Sequence, residues 1–321
     1  MSRIAALAIA LALLLAACAS ADEKRAAAWS FGVIGDTPYS IIEEAQLDLV
    51  IDEINREALA FIVHVGDIKA GSRSACSDDL FEQRKAIFQR IRHPFVLLPG
   101  DNEWTDCHRA SAGGYDPLER LAALRRIFHA GERSLGARTM PLERQSRDAR
   151  FAEYRENVRW IHGGVLFAGI NVPGSNNNLG RTSAMDAEHR QRMAANFAWL
   201  DEAFRIAAEK ELAAVVILTQ ANPGLDWIGR MLVGRPDGYA ELRAALASHA
   251  RSAGRPVLFV HGDTHQHRVD KPFVDETSGK TIENITRLET FGSPQTNWVK
   301  VSVDEAEAQL FSIRPGSPTQ R

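Results

Sequence analysis

Four short segments constrain the fold of this chain more than any other feature, because each ends an apolar, strand-like run with a glycine and an aspartate. They are Phe31–Asp36, Phe61–Asp67, Phe95–Asp101 and Val257–Asp263, with His265 two residues after the last. Glycine lets the backbone turn tightly at a strand end. The acid then projects from the carboxyl edge of the sheet, where open α/β sheets place their ligand sites. Four carboxylates converging on one edge repel each other unless something cationic sits among them. A divalent metal site is the simplest answer.

The stretches between these turns predict strand–helix alternation. Strands are expected at 29–35, 61–66 and 95–98, with helices at 41–58, 79–91 and 118–129. Ile42, Ala45, Leu49 and Ile54 give the first helix its apolar spacing. Such alternation means right-handed parallel crossovers. Strand-like runs resume at 158–161 and 165–171, and a loop with three consecutive asparagines follows at 173–178. Next come a long helix at 184–208, a strand at 213–219, a helix at 238–250 and a strand at 256–261. From 268 onward, alternation such as Val299, Val301 and Val303 predicts an antiparallel tail that completes a second sheet.

The chain has 321 residues, enough for one large domain or two smaller ones. Its net charge of −3 argues against nucleic acid as a general partner. Residues 120–160 hold ten arginines against five acids and break the strand–helix rhythm. They read as an insertion near the site, spanning about 105–157. It is either an electropositive lip that attracts an anionic substrate or a solvated face with local ion pairs.

The N-terminus reads as a targeting segment. Arg3 precedes an apolar run, Ile4 to Ala17, that is short for a membrane span. The run ends in Leu15-Ala16-Ala17-Cys18, which resembles the lipobox of bacterial lipoproteins. The resemblance implies a signal peptide at 1–17, cleavage before Cys18, lipidation of that residue and a tether at 18–28. Ala19 in place of an acid resembles the pattern routed to the periplasmic face of an outer membrane. The alternative is an ordinary signal peptide with a chance cysteine. Two cysteines then remain, Cys76 and Cys107, each a few residues beyond an acidic turn. In an oxidising compartment a disulfide between them is preferred over two free thiols or a thiolate ligand.

Taken in order, the turns resemble the calcineurin-like metallophosphoesterase family over roughly 29–313, within a domain taken as 29–315. The pieces that carry the resemblance are Val65-Gly66-Asp67, Pro99 to Glu103, Asn196 to Leu200 and Gly262 to His265. The resemblance implies a four-layer αββα sandwich of two mixed β-sheets flanked by helices. It also implies one or two divalent ions that activate a hydroxide against phosphorus. Asp36, Asp67 and His265 would hold one ion; Asp67, Asp101 and Asp263, with Gln220 as a weaker candidate, would hold the other. Asn102 and Glu103 would orient substrate or water, His265 would share in catalysis, and His267 would reach the substrate.

The motifs also depart from the family. The Asp-x-His turn is Asp36-Thr37-Pro38, and the Gly-Asn-His turn is Gly100-Asp101-Asn102. Gln220 stands where a strand ends in histidine, and Gly-His-x-His has become Gly262-Asp263-Thr264-His265. Imidazoles give way to oxygen donors, which suit Mg²⁺ or Mn²⁺ better than Zn²⁺ or iron. A competing account places the Lys69 ammonium among the acids, leaving a metal-free ionic cluster on a catalytically inactive binding lipoprotein. His64 and His261 read as buried core histidines or as ligands; His108 and His162 read as possible neighbours of the pocket. The expected partners are a small phosphorylated substrate and, through Cys18, a membrane. Oligomeric state is left open.

Overall fold

The computed structural model describes residues 27–225, 236–275 and 277–317. The lipobox at Leu15–Cys18 therefore lies outside the described residues. Among those that are described, no helix is long and apolar enough to cross a membrane.

The first sheet grows from strand–helix crossovers. β1 (Trp29–Ile34) pairs in parallel with β2 (Ile62–His64), and β2 with β3 (Phe95–Leu97). Helices α1 (Ile41–Ile54) and α2 (Asp78–Phe88) make the crossovers. Their starts are written locally. Ser40 accepts from the Glu43 amide and Ser77 from the Leu80 amide, each satisfying an otherwise orphaned donor. α3 (Pro117–Phe128) begins with Asp116 accepting from two amides and proline in its first turn.

The second sheet has seven strands. β4 (Glu143–Arg144), β5 (Val158–His162), β6 (Val165–Gly169), β7 (Ala214–Leu218) and β8 (Val257–His261) follow in that order. β10 (Ile285–Glu289) and then β9 (Arg268–Asp270) complete it. α4 (Ser183–Glu209) and α5 (Ala240–Ala253) cover its outer face.

The tail departs from expectation. β10 runs parallel to β8, and only β9 is antiparallel beside it. β11 (Val299–Val303) and β12 (Phe311–Pro315) return to the first sheet, β11 lying antiparallel against β1. Alternation marks a strand but says nothing about which sheet will take it. Both sheets are mixed, as expected.

Three apolar layers hold the sandwich together. Between the sheets, Phe31, Val33, Phe61 and Val63 meet Phe167, Val216, Leu258 and Val260. Ile34, Ile62 and Leu97 point the other way, against Leu47, Ile51, Phe81 and Phe88 of α1 and α2. Leu166, Val215 and Phe259 pack on Trp199, Leu200, Leu242 and Leu246. Successive strand residues face opposite sides, so a strand covered on both faces must be apolar throughout. Each such side chain contributes about 1.5–3 kcal/mol on burial.

The arginine-rich segment closes sheet edges. Leu135 exchanges both backbone hydrogen bonds with Phe95 of edge strand β3, and β4 covers β5. All ten arginines are engaged. Arg120, Arg125, Arg126, Arg147, Arg150 and Arg159 pair with acids. Arg133, Arg138, Arg144 and Arg155 donate to backbone carbonyls. The Cys76–Cys107 disulfide is present, with Cα atoms 5.8 Å apart, and it staples the loops after β2 and β3.

Candidate functional site

Asp36, Asp67, Asp101 and Asp263 stand just beyond the carboxyl ends of β1, β2, β3 and β8, as the Gly-Asp turns require. Asp36, Asp67, Asp263 and His265 all have positive φ, at 51°, 60°, 84° and 62°. Non-glycine residues pay roughly 1–2 kcal/mol for this conformation, a strain that clusters at functional sites. The turns come within hydrogen-bond reach of one another. The Asp263 amide donates to both Asp36 oxygens at 3.0 and 3.1 Å. The Asn102 amide donates to Asp67 Oδ1 at 3.0 Å. A Cβ on Gly100 would lie 2.1 Å from Asp67 Oδ1, so only glycine fits there. A Cβ on Gly174 would meet Asp101 Oδ1 and Asp263 Oδ1, each at 2.8 Å, so this glycine keeps open the space between two candidate ligands.

Burial dominates the electrostatics. The Asp36 carboxyl is pushed well above the ordinary range, first by loss of water and then by Asp263. Asp67 is raised in the same way, by burial and then by Glu103 and Asp36. Asp101 follows, with burial ahead of Asp67 and Asp106. Asp263 is pushed up to about 7 by burial, against the Asn222 amide, which donates to its Oδ2. Lys69 acts on these acids only through space, its charge interacting first with Glu103 and then with Asp67, Asp106 and Asp101. Its ammonium donates to the carbonyls of Ala70 and Asn102 at 2.7 and 2.8 Å and makes no ion pair with the four acids. It therefore does not fill a cation position among them.

The remaining candidates divide. His265 Nδ1 faces the Ser293 carbonyl at 2.7 Å, leaving Nε2 turned to the cluster, 3.8 Å from Asp36 Oδ1. Asn102 Nδ2 donates to Asp67 Oδ2 at 2.8 Å. Gln220 Oε1 accepts from the Gly174 amide, while its Nε2 is buried without a hydrogen-bond partner.

Glu103 is a correction. It is fully buried and accepts from the amides of Asp67, Ile68 and Gly100, so it braces the acidic turns and has no face toward a substrate. His267 bonds the Glu289 carbonyl and stacks on Phe291 at 4.3 Å, away from the acids' hydrogen bonds. His162 packs on Trp29 at the far end of β1, which removes it from the site. His108 bonds the Thr105 carbonyl at 2.8 Å, beside the Asp101 loop. His64 is buried, bonded to the Thr37 carbonyl and the Gly66 amide, and serves the turn instead of an ion. His261 is buried, with Nδ1 against the Gly262 carbonyl. Trp104 lies in the core under the Arg192 guanidinium.

Sequence reasoning missed three residues. Tyr39 donates to Asp67 Oδ2 at 2.9 Å and accepts from Asn102 Nδ2 at 2.9 Å. Asp106, almost fully buried, shares the Ser175 hydroxyl with Asp101, both at 2.8 Å. Ser175 opens a left-handed run through Asn178, with φ values of 50°, 56°, 54° and 64°. Asparagine tolerates that conformation better than most residues, so Gly-Ser-Asn-Asn-Asn was a legible signal of it.

Among the described residues, no three His, Cys, Asp or Glu side chains are by themselves arranged to hold a metal ion. The donor chemistry and the gap beside Gly174 nevertheless suit a hard divalent cation. Asp36, Asp67 and His265 on one side, and Asp101, Asp263 and Gln220 on the other, are the residues that would hold it.

No family model matches this chain, and no curated protein does. Solved structures do. A structure of PhoD superposes with a TM-score of 0.54 at 13% identity, covering 91% of this chain and 69% of that one. A 5'-nucleotidase from Candida albicans superposes with a TM-score of 0.50 at 13% identity, covering 89% of this chain and 52% of that one. The chain thus spans about half the length of that nucleotidase. Likeness at this identity concerns the fold alone: the two mixed sheets flanked by helices are the sandwich that the metallophosphoesterase resemblance implied.

Proposed function

We propose that this protein is an exported, lipid-anchored hydrolase that cleaves small phosphoesters with one or two divalent ions. The observation that carries the reading is the convergence of four aspartates at the carboxyl edge, Asp36, Asp67 and Asp101 buried and Asp263 partly exposed, with Gly174 leaving room between two of them. Mg²⁺ or Mn²⁺ suits these oxygen donors. A bound ion would supply positive charge for the phosphoryl oxygens and make water a better nucleophile. The chain's own part is positional. Asp67 joins the two halves of the site, Asn102 and Glu103 hold its turn, and the Asn222 amide holds Asp263. The lipobox at Leu15–Cys18 supports anchoring on the periplasmic face of an outer membrane. An intact mass of the mature protein without acyl chains would refute that part.

A second reading is a binding protein without turnover. It is favoured by Asp67, whose two oxygens already accept from Asn102 and Tyr39. Metal content after chelator-free purification, followed by a broad phosphoester panel, separates the two. Asp67→Asn is expected to strip the metal and abolish turnover. A metal-free wild type that is stabilised by Asp67→Asn would favour the binding protein, since removing one of several repelling carboxylates relieves the cluster.

A further inference from the structure

The histidine missing from the Asp36 turn leaves that half of the site one donor short, and the structure puts a phenol beside the gap. Tyr39 Oη lies 2.9 Å from Asp67 Oδ2 and 3.3 Å from His265 Nε2. His265 Nε2 lies 3.8 Å from Asp36 Oδ1. Because His265 Nδ1 faces the Ser293 carbonyl, Nε2 of the neutral ring presents a lone pair. Four donor atoms therefore come together from three separate turns. The two Tyr39 distances are those of neighbours on one ion, since ligands about 2.1 Å from a common centre at right angles stand about 3.0 Å apart and tetrahedral ones about 3.4 Å, whereas His265 and Asp36 stand wider.

The phenol is also held in place. Its ring meets the His265 ring edge-on at 5.3 Å. The Tyr39 amide donates to Glu43 Oε2, and Ser293 Oγ donates to Glu43 Oε1. One buried carboxylate thus braces both Tyr39 and the residue that orients His265. Supporting shells of this kind fix first ligands in productive geometry. Asn102 Nδ2 bonds the phenol oxygen from one side.

We propose that Tyr39 Oη is a ligand of the divalent ion held by Asp36, Asp67 and His265. The proposal rests on the metal-dependent reading above. The test is calorimetric titration of the full mature protein with Mn²⁺, comparing wild type, Tyr39→Phe and Tyr39→His. Tyr39→Phe is expected to raise the Mn²⁺ Kd at least about tenfold. Tyr39→His, which supplies another donor, should recover part of the loss. Mn²⁺ is expected to produce a near-ultraviolet tyrosine difference spectrum in wild type that is absent in Tyr39→Phe. Unchanged or tighter binding by Tyr39→Phe would overturn the proposal while leaving the metal-dependent reading intact. No Mn²⁺ binding by wild type would overturn both. Should Tyr39→Phe fail to fold, the wild-type spectrum and Tyr39→His still decide: no tyrosine signal on binding would refute ligation.

Discussion

Asn102 shows how one residue can limit what a site does. Its amide is committed to Asp67 Oδ2 and Tyr39 Oη, and an amide cannot deliver a proton at neutral pH. Positioned general acids contribute on the order of 10²–10⁴-fold to rate. Under the hydrolase reading, turnover should therefore fall steeply as the leaving group becomes more basic. Aryl phosphates and anhydrides should react far faster than alkyl phosphates. A graded ester series with added Mn²⁺ measures the slope; a flat one would show that another group, such as His108 beside the Asp101 loop, protonates the leaving oxygen. Glu103 was expected to orient substrate or water because it is the acid of a turn that carries the family resemblance. Burial and three amide donors made it a brace instead.

At the scale of elements, the loops after β2 and β3 matter most, because they carry Asp67 and Asp101 and share the disulfide. A bridge across a separation of 31 residues is worth about 3–4 kcal/mol in the chain-entropy model. The Cys76→Ala/Cys107→Ala double variant should melt roughly 10 °C lower. Calorimetry of oxidised wild type against the variant checks this. Equal melting temperatures would mean that the Arg120 contact to the Cys76 carbonyl and the surrounding core already hold the loops. The disulfide was legible because both cysteines follow acidic turns on adjacent strands. The division of the tail between sheets was not, because β10 and β11 are both five-residue strands whose local pattern names no partner.

For the whole molecule, buried histidines set an acid limit. Burial lowers His64 to about 4, and burial with Arg144 beside it lowers His129 to about 3. The unfolded chain protonates both near 6.5, so below that pH it binds more protons than the folded state. The stability that depends on the neutral rings is complete above about pH 6.5. It falls by about 1.4 kcal/mol per pH unit for each ring as pH drops toward the folded values. His129→Met should lessen that loss, as urea unfolding at about pH 7.5 and about pH 5.5 would measure. An identical loss in the variant would exclude His129 as a source.

Local pattern sufficed for much of this protein. Alternating and helical apolar spacing, Gly-Asp turns and cysteine placement pointed to most strands and helices, the four aspartates and the disulfide, while the sandwich was what the family resemblance of those turns implied. Tertiary structure alone decided the rest. It chose which sheet received each tail strand, turned Glu103 inward, engaged all ten arginines of residues 120–160 and put Tyr39 between Asp67 and His265. Those outcomes depend on contacts between distant residues, such as the Asp263 amide on Asp36 across 227 positions or Tyr39 beside His265 across 226. Only packing the two sheets face to face brings such residues within hydrogen-bond range.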